Sequence, residues 1–382
     1  MMYSFKVSSF KVKNKMDGHL ETSFSGETKF YKNNSSENSL TSSITSVATD
    51  RFGFMNSNSD LNHTEQMPDV KTLRRREKKW LKMLSSPHNW NLYATTHYKK
   101  VRSRCRKGIP SSIRPQAWFH LCGAGALQKG QTTFEHLYKQ EGDRKWISAI
   151  EKDLDRNFPT HELFGGEFGH IGKAELAKIL KAYSIYNPVI GYCQAQAPIA
   201  SLLLMYMPSQ EAFWCFENIC DHILKGYYSE GMAAIQADGE VLFSLLKVYC
   251  IDVYDHLKDQ DIQPIFFMQT WFQCAYARTF PMPTVLRIWD MFMCEGIYVL
   301  FRVGLVILKF TLTKRTREKC SDSIDTLSAL QNLTNDITNE IFLVKNMIAI
   351  DITDEYIKKE RCKQLKRFVD SKKTESVSCI KP

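Results

Sequence analysis

Between residue 106 and about residue 312, apolar side chains recur at intervals of three and four, the spacing that gathers them on one face of a helix. Lys145 to Arg156 brings Trp146, Ile147, Ile150 and Leu154 together. Lys173 to Tyr186 does the same with Leu176, Ile179, Leu180 and Tyr183, and Glu211 to Leu224 with Phe213, Phe216, Ile219, Cys220 and Ile223. Pro159, Pro188, Pro208 and Pro283 stand at the edges of such runs, and Gly191, Gly226, Gly231 and Gly296 mark connections. Alternation with a period of two, the mark of a half-buried strand, is almost absent, and no longer period repeats. The pattern predicts an all-α fold, a large globule of many short helices.

The flanks differ from this middle. Residues 1–68 are rich in Ser, Asn and Thr and carry too few apolar groups to offset the entropy of ordering, so a disordered leader is expected. Residues 69–104 form a basic segment in which Leu73, Trp80, Leu81 and Leu84 keep helical spacing. The main domain is expected over 105–315. A helical extension over 316–382 carries Leu327, Leu330, Leu333, Ile337 and Ile341 and ends in a basic stretch with Lys358, Lys359, Arg361, Lys363, Lys366 and Arg367.

With 382 residues, 43% of them hydrophobic and 12% aromatic, the chain can bury a large core. No segment offers the roughly 20 apolar residues of a membrane span. Ala197–Met207 is too short, and Ile297–Leu312 carries Arg302 and Lys309. Lys6, Lys11, Lys13 and Lys15 interrupt the N-terminus, which has no apolar stretch of the secretory type. The eleven cysteines include no CxxC pair, and Cys215, Cys220 and Cys274 lie within apolar helical runs, as expected of small buried groups in a reducing cytoplasm. Cys379 occupies a prenylation position, but Lys381 and Pro382 suit that signal badly.

The net charge of +10 belongs to one flank: residues 71–107 hold thirteen Lys or Arg against Glu77 alone, which leaves the remainder slightly negative. Such a flank can meet an anionic membrane surface at the periphery, or it can be the solvated face of a helix. Nucleic acid is not expected, since neither an aromatic-studded sheet nor zinc-ligand spacing accompanies the charge. Phosphate-loop chemistry is excluded because Gly172-Lys173 is followed by Ala174 and preceded, where a glycine is needed, by Glu167. His161-Glu162 lacks the second histidine of a zinc protease, and Cys193 has no histidine beside it in sequence, so a packing role is the simpler reading.

Two stretches carry candidate chemistry. Ile150-x-x-Asp153-x-x-Arg156 sets an arginine near the end of a helix, which Pro159 closes by forcing Phe158 out of helical geometry. Asp153, three residues earlier, can pair with Arg156 and hold it. Gly191-Tyr192-Cys193-Gln194 sets a glutamine in a tight turn that Gly191 permits, with Pro198 in the first turn of the next helix. Around them lie Arg106-Lys107-Gly108-Ile109-Pro110, then Arg114 and Trp118, and later Arg287-Ile288-Trp289-Asp290 with Phe292. Tyr192 and Trp289 suit packing, and Asp290 suits an anchor for backbone or arginine.

The order of these five motifs resembles that of TBC-domain GTPase-activating proteins for Rab GTPases, and the wording around Gly191–Pro198 and Gly226–Ser229 is similar to their member 10 subgroup. Pro115 and Ala195-Gln196 depart from the broad family, which more often has Gly and Gly-Met there. The resemblance implies that Arg156 enters the partner's nucleotide site to stabilise charge on the transferred phosphoryl group, and that Gln194 orients the attacking water. Asp153, Ile150, Tyr192, Gly191, Trp289, Asp290 and Arg114 would support them. It further implies a Rab-family GTPase in its GTP form as partner, with GTP and Mg2+ carried by that partner, no cofactor or metal of this chain's own, and a role in vesicle traffic. The alternative is a scaffold that binds a Rab without accelerating hydrolysis.

Overall fold

The computed structural model describes residues 49–55, 69–127 and 131–378. The remainder of the expected leader and the Cys379 tail lie outside them. Among the described residues the regular structure is helical, with no strands beyond two isolated β-bridges, Thr49 with Met55 and Phe54 with His161.

Three helices come first. The chain enters α1 (Val70–Leu84) through Asp69, whose carboxylate accepts from the Thr72 N–H, and α2 (Pro87–Thr95) through Ser86, with Pro87 in the first turn; α3 (Tyr98–Arg106) follows. Two of them turn a narrow apolar stripe inward, Trp80, Met83 and Leu84 from α1 and Val101 and Cys105 from α3, while α2 buries Ala94. Next come α4 (Arg114–Leu121), α5 (Ala124–Leu127), α6 (Gln131–Lys139), α7 (Arg144–Leu154), α8 (Gly169–Tyr186), α9 (Gln196–Leu204) and α10 (Ser209–Asn218). Helix α8 packs against α6, α7, α9 and α10. All eight residues from Gln196 to Leu203 on α9 are buried, so this helix is enclosed on every side.

The second half holds α11 (Ala233–Tyr249), α12 (Ile251–Asp259), α13 (Ile265–Met268), α14 (Met282–Glu295), α15 (Tyr298–Thr311), α16 (Lys314–Arg317), α17 (Ser323–Gln331), α18 (Asn335–Thr338), α19 (Glu340–Ile348) and α20 (Asp354–Ser378). Helix α14 packs on α3, α15 and α19, and α11 packs on α20. None of the described helices is long and apolar enough to cross a membrane.

Helix α7 ends at Leu154 with Asp155 as its C-cap, next to Arg156, and Phe158 leaves the helical region as expected, into the left-handed one at φ 47°. Two local features differ from the sequence reading. Helix α8 begins at Gly169, four residues early, because Gly172 lies against the Leu163 carbonyl: a Cβ there would stand 1.9 Å from that oxygen. Residues 49–55, assigned to the leader by composition, form a turn around Asp50, whose carboxylate accepts from the N–H groups of Phe52 and Phe54, and dock on the loop after α7.

Candidate functional site

The last turn of α7 and the loop before α9 meet through one carboxylate. Ile150 is buried in the core and fixes the rotation of α7, so that Asp153 points into the seam. Its Oδ2 accepts a 2.9 Å hydrogen bond from the Tyr192 hydroxyl, and its Oδ1 faces Arg156 Nη1 at 3.6 Å. Tyr192 is buried; burial, and after it the hydrogen bond to Asp153, push the phenol's pKa well up, so it remains a protonated donor. The Asp153 carbonyl accepts from Asn157 Nδ2 at 2.6 Å, which closes the turn carrying Arg156.

Arg156 itself faces solvent, its side chain 65% exposed. The turn that holds it is braced from the far side by Asp155, which pairs with Lys173 of α8 at 2.6 Å. A third brace comes from the N-terminal turn. Met55 N–H donates to the Thr160 carbonyl at 2.7 Å, Glu162 N–H to that of Gly53 at 2.7 Å, and the Phe54 ring lies edge-on to Phe158 and His161. Composition hid this brace, since only Phe52, Phe54 and Met55 break a polar stretch.

Gln194 is exposed at the tip of the second loop. Gly191 adopts φ 64°, and a Cβ there would lie 2.2 Å from the Trp146 ring of α7, so glycine is required twice over. Gln196 then caps the loop: its Oε1 accepts from the Cys193 N–H at 2.9 Å. The residue that departs from the family wording thus fixes the turn in which Gln194 sits. Cys193 is half-buried, and burial raises its thiol pKa, which disfavours the thiolate a nucleophile needs.

The structure therefore brings Asp153, Arg156, Tyr192, Gly191 and the Gln194 loop to one seam, and gathers Arg114, Trp289 and Asp290 elsewhere. Asp290 is fully buried and accepts from the Ile109 N–H at 2.7 Å, from Arg114 Nε at 3.1 Å and from Trp118 Nε1 at 2.9 Å. Arg114 also donates to the Ile109 carbonyl at 2.6 Å, and Pro115 sits in the first turn of α4. Trp289 packs at a tilt against Trp118, ring centroids 5.5 Å apart, and donates to the Ala275 carbonyl at 3.0 Å. These groups are closed off from any partner and act as a packing knot joining α4 to α14.

A family model of the Rab-GTPase-TBC domain matches residues 111–314, more than half of the chain. The chain belongs to this family. It is 45% identical over 325 residues to mouse TBC1 domain family member 10A, covering 85% of this chain and 64% of that protein. It is 41% identical over 336 residues to TBC1 domain family member whacked of Drosophila melanogaster, covering 87% of this chain and 91% of that one. It spans only 40% of mouse TBC1 domain family member 10B, at 44% identity over 85% of this chain. Two crystal structures share the fold: the Chlamydomonas flagellar RabGAP TBC domain (TM-score 0.60, 22% identity, 79% of this chain and 100% of that one) and the Ypt/Rab-GAP domain of Gyp1p (TM-score 0.58, 20% identity, 72% and 96%). Within this TBC domain the described residues hold no cluster of three or more His, Cys, Asp or Glu side chains suited to a metal.

Proposed function

We propose that this TBC domain accelerates GTP hydrolysis on a Rab-family GTPase in its GTP form, with Arg156 and Gln194 completing the partner's site in trans and vesicle traffic as the process served. The observation that carries the reading is the shared carboxylate of Asp153, which ties the solvent-facing Arg156 to the buried Tyr192, two residues before the exposed Gln194 in the same loop. The family membership and the RabGAP descriptions of the two similar structures support it.

The chemistry follows from the side chains. A guanidinium is permanently charged and offers a planar fork of donors, which suits the oxygens of a transferring phosphoryl group. An amide both accepts and donates, so Gln194 can accept from the attacking water while its NH2 holds phosphate or backbone. The Asp153–Arg156 pair is exposed enough that it contributes no more than about 1 kcal/mol, so Arg156 can exchange the carboxylate for phosphoryl oxygens at little cost. It is aimed without being trapped.

Single-turnover GTP hydrolysis on a panel of Rab proteins tests this. An arginine supplied in trans accelerates hydrolysis by about 10³ to 10⁵. Wild type is expected to stimulate at least one Rab, Arg156→Ala to lose most of that stimulation, and Gln194→Ala to lose a large part. A panel with no response, or an Arg156→Ala variant as active as wild type, sinks the reading. GTP-dependent capture of a Rab without turnover would favour the scaffold instead.

A further inference from the structure

Away from the seam, α1 and α3 enclose a groove of about 500 Å3, a size typical of small-molecule sites. Arg75, Arg76 and Lys79 line it from α1, Lys99, Lys100 and Arg104 from α3, with Lys107 at the end. No acidic side chain among the described residues lines it.

The cations of α3 divide by face. Arg102 and Arg106 turn toward α14 and both pair with Glu295 at 2.6 Å; Arg102 also pairs with Asp354 at 3.0 Å. These charges are compensated. Arg76 and Arg104 instead donate across the groove to backbone carbonyls, Arg76 to that of Lys107 at 2.7 Å and Arg104 to that of Lys79 at 2.9 Å. Such bonds hold the guanidinium groups in place and leave their charge uncancelled. Glu77, the only acid between residues 71 and 107, is engaged by the Ser112 hydroxyl at 2.6 Å and is not part of the lining. Thr72 and Ser103 add hydroxyls to the wall.

Seven like charges around one groove repel one another, and no acidic side chain of the lining offsets them. A phosphate monoester does so best, because it presents oxygens that accept from forked and point donors alike. The half-open groove matches one compact ring or chain in size. We infer that this groove binds a compact ligand bearing two or more phosphate monoesters, the chemistry of a multiply phosphorylated lipid headgroup. Such a site recognises phosphate clustering rather than surface charge alone. It requires neither a Rab nor GTP, so its failure and that of the proposed activity are distinguishable.

The full chain is tested by co-sedimentation with vesicles containing phosphatidylinositol bisphosphate, against phosphatidylserine vesicles of matched total charge, and by calorimetric titration with inositol trisphosphate. The bisphosphate vesicles or the free trisphosphate are expected to bind, and Arg75→Glu/Lys79→Glu to weaken that binding at least about tenfold. The same charge change outside the lining, Arg74→Glu/Lys78→Glu, is expected to alter it by less than about threefold. Vesicle binding with or without the trisphosphate assigns a membrane source, and trisphosphate binding alone assigns a soluble one. Equal weakening by the two variants, equal binding to phosphatidylserine, or no binding to either probe overturns the inference.

Discussion

Asp153 and Asp290 are both carboxylates that hold an arginine, yet their surroundings assign them opposite tasks. Asp290 is sealed off with Arg114, Ile109 and Trp118 as its donors, so Asp290→Ala strands a guanidinium and an indole N–H in the core. That variant is expected to lose about 3 to 5 kcal/mol of folding stability in urea denaturation. Asp153→Asn keeps the shape and still accepts from Tyr192 but no longer attracts the exposed Arg156. Its stability should stay within about 1 kcal/mol of wild type while Rab-stimulated hydrolysis falls by up to about fivefold, within the roughly 1 kcal/mol that the pair can contribute to holding Arg156. The two results together separate a packing carboxylate from a positioning one. Gly191→Ala combines both defects: a left-handed φ and a Cβ inside the Trp146 ring should cost stability and displace Gln194, giving a lower melting temperature and weaker stimulation.

At the scale of elements, the N-terminal turn controls the loop that carries Arg156, and His161 is its latch. His161 Nε2 lies 2.9 Å from the Phe52 carbonyl and Nδ1 accepts from the Leu163 N–H at 3.1 Å, an arrangement that fits the neutral ring with its proton on Nε2. Burial lowers its pKa below the ordinary 6.5, against the opposing pull of the Phe52 carbonyl, Glu162 and Asp50. A depressed folded-state pKa means that the unfolded chain takes up the proton first. The latch is therefore at full strength above pH 6.5 and weakens as pH falls from there toward the folded pKa. Amide exchange at Glu162 and Met55, corrected for intrinsic rate, should show protection falling between about pH 7.5 and about pH 5.5. His161→Gln, which keeps a donor for Phe52, should remove the pH dependence. The amphipathic faces of α7, α8 and α10 were readable because each buries a regular stripe, and the fold class with them. The strap over 49–55 was not, since three apolar residues in a polar stretch set no period. Nor was the π-helical turn Ile219–Ile223 that widens the run after α10, because its i→i+5 hydrogen bonds leave no mark of their own in the sequence. At the seam, the Asp153–Arg156 spacing was legible, whereas the contact between Asp153 and Tyr192, thirty-nine residues apart, needed the tertiary fold.

At the scale of the whole molecule, the family match stops at residue 314, but the helices after it complete the core of the region it covers. Asp238 on α11 is fully buried and receives Arg361 of α20 at 2.7 and 2.9 Å, together with the Tyr227 hydroxyl at 2.6 Å. Asp354, at the start of α20, pairs with Arg102 from the first helices and with Arg302 from α15. One C-terminal helix thus closes charges contributed by three distant parts of the chain. Arg361→Ala is expected to cost about 3 kcal/mol, because the lost partner leaves a buried carboxylate with a single phenol donor. Pairing that change with Asp238→Asn should recover part of the loss, since the neutral amide has far less desolvation to answer for. If Arg361→Ala melts like wild type, α20 is only an appendage. The stricter comparison ends the chain after Arg315: that version keeps every residue of the family match and both candidate fingers, yet takes Arg361 from Asp238 and Asp354 from Arg302, and leaves Arg102 with Glu295 alone. It should unfold at a lower denaturant concentration than full-length protein, with hydrolysis on a Rab declining in parallel rather than independently.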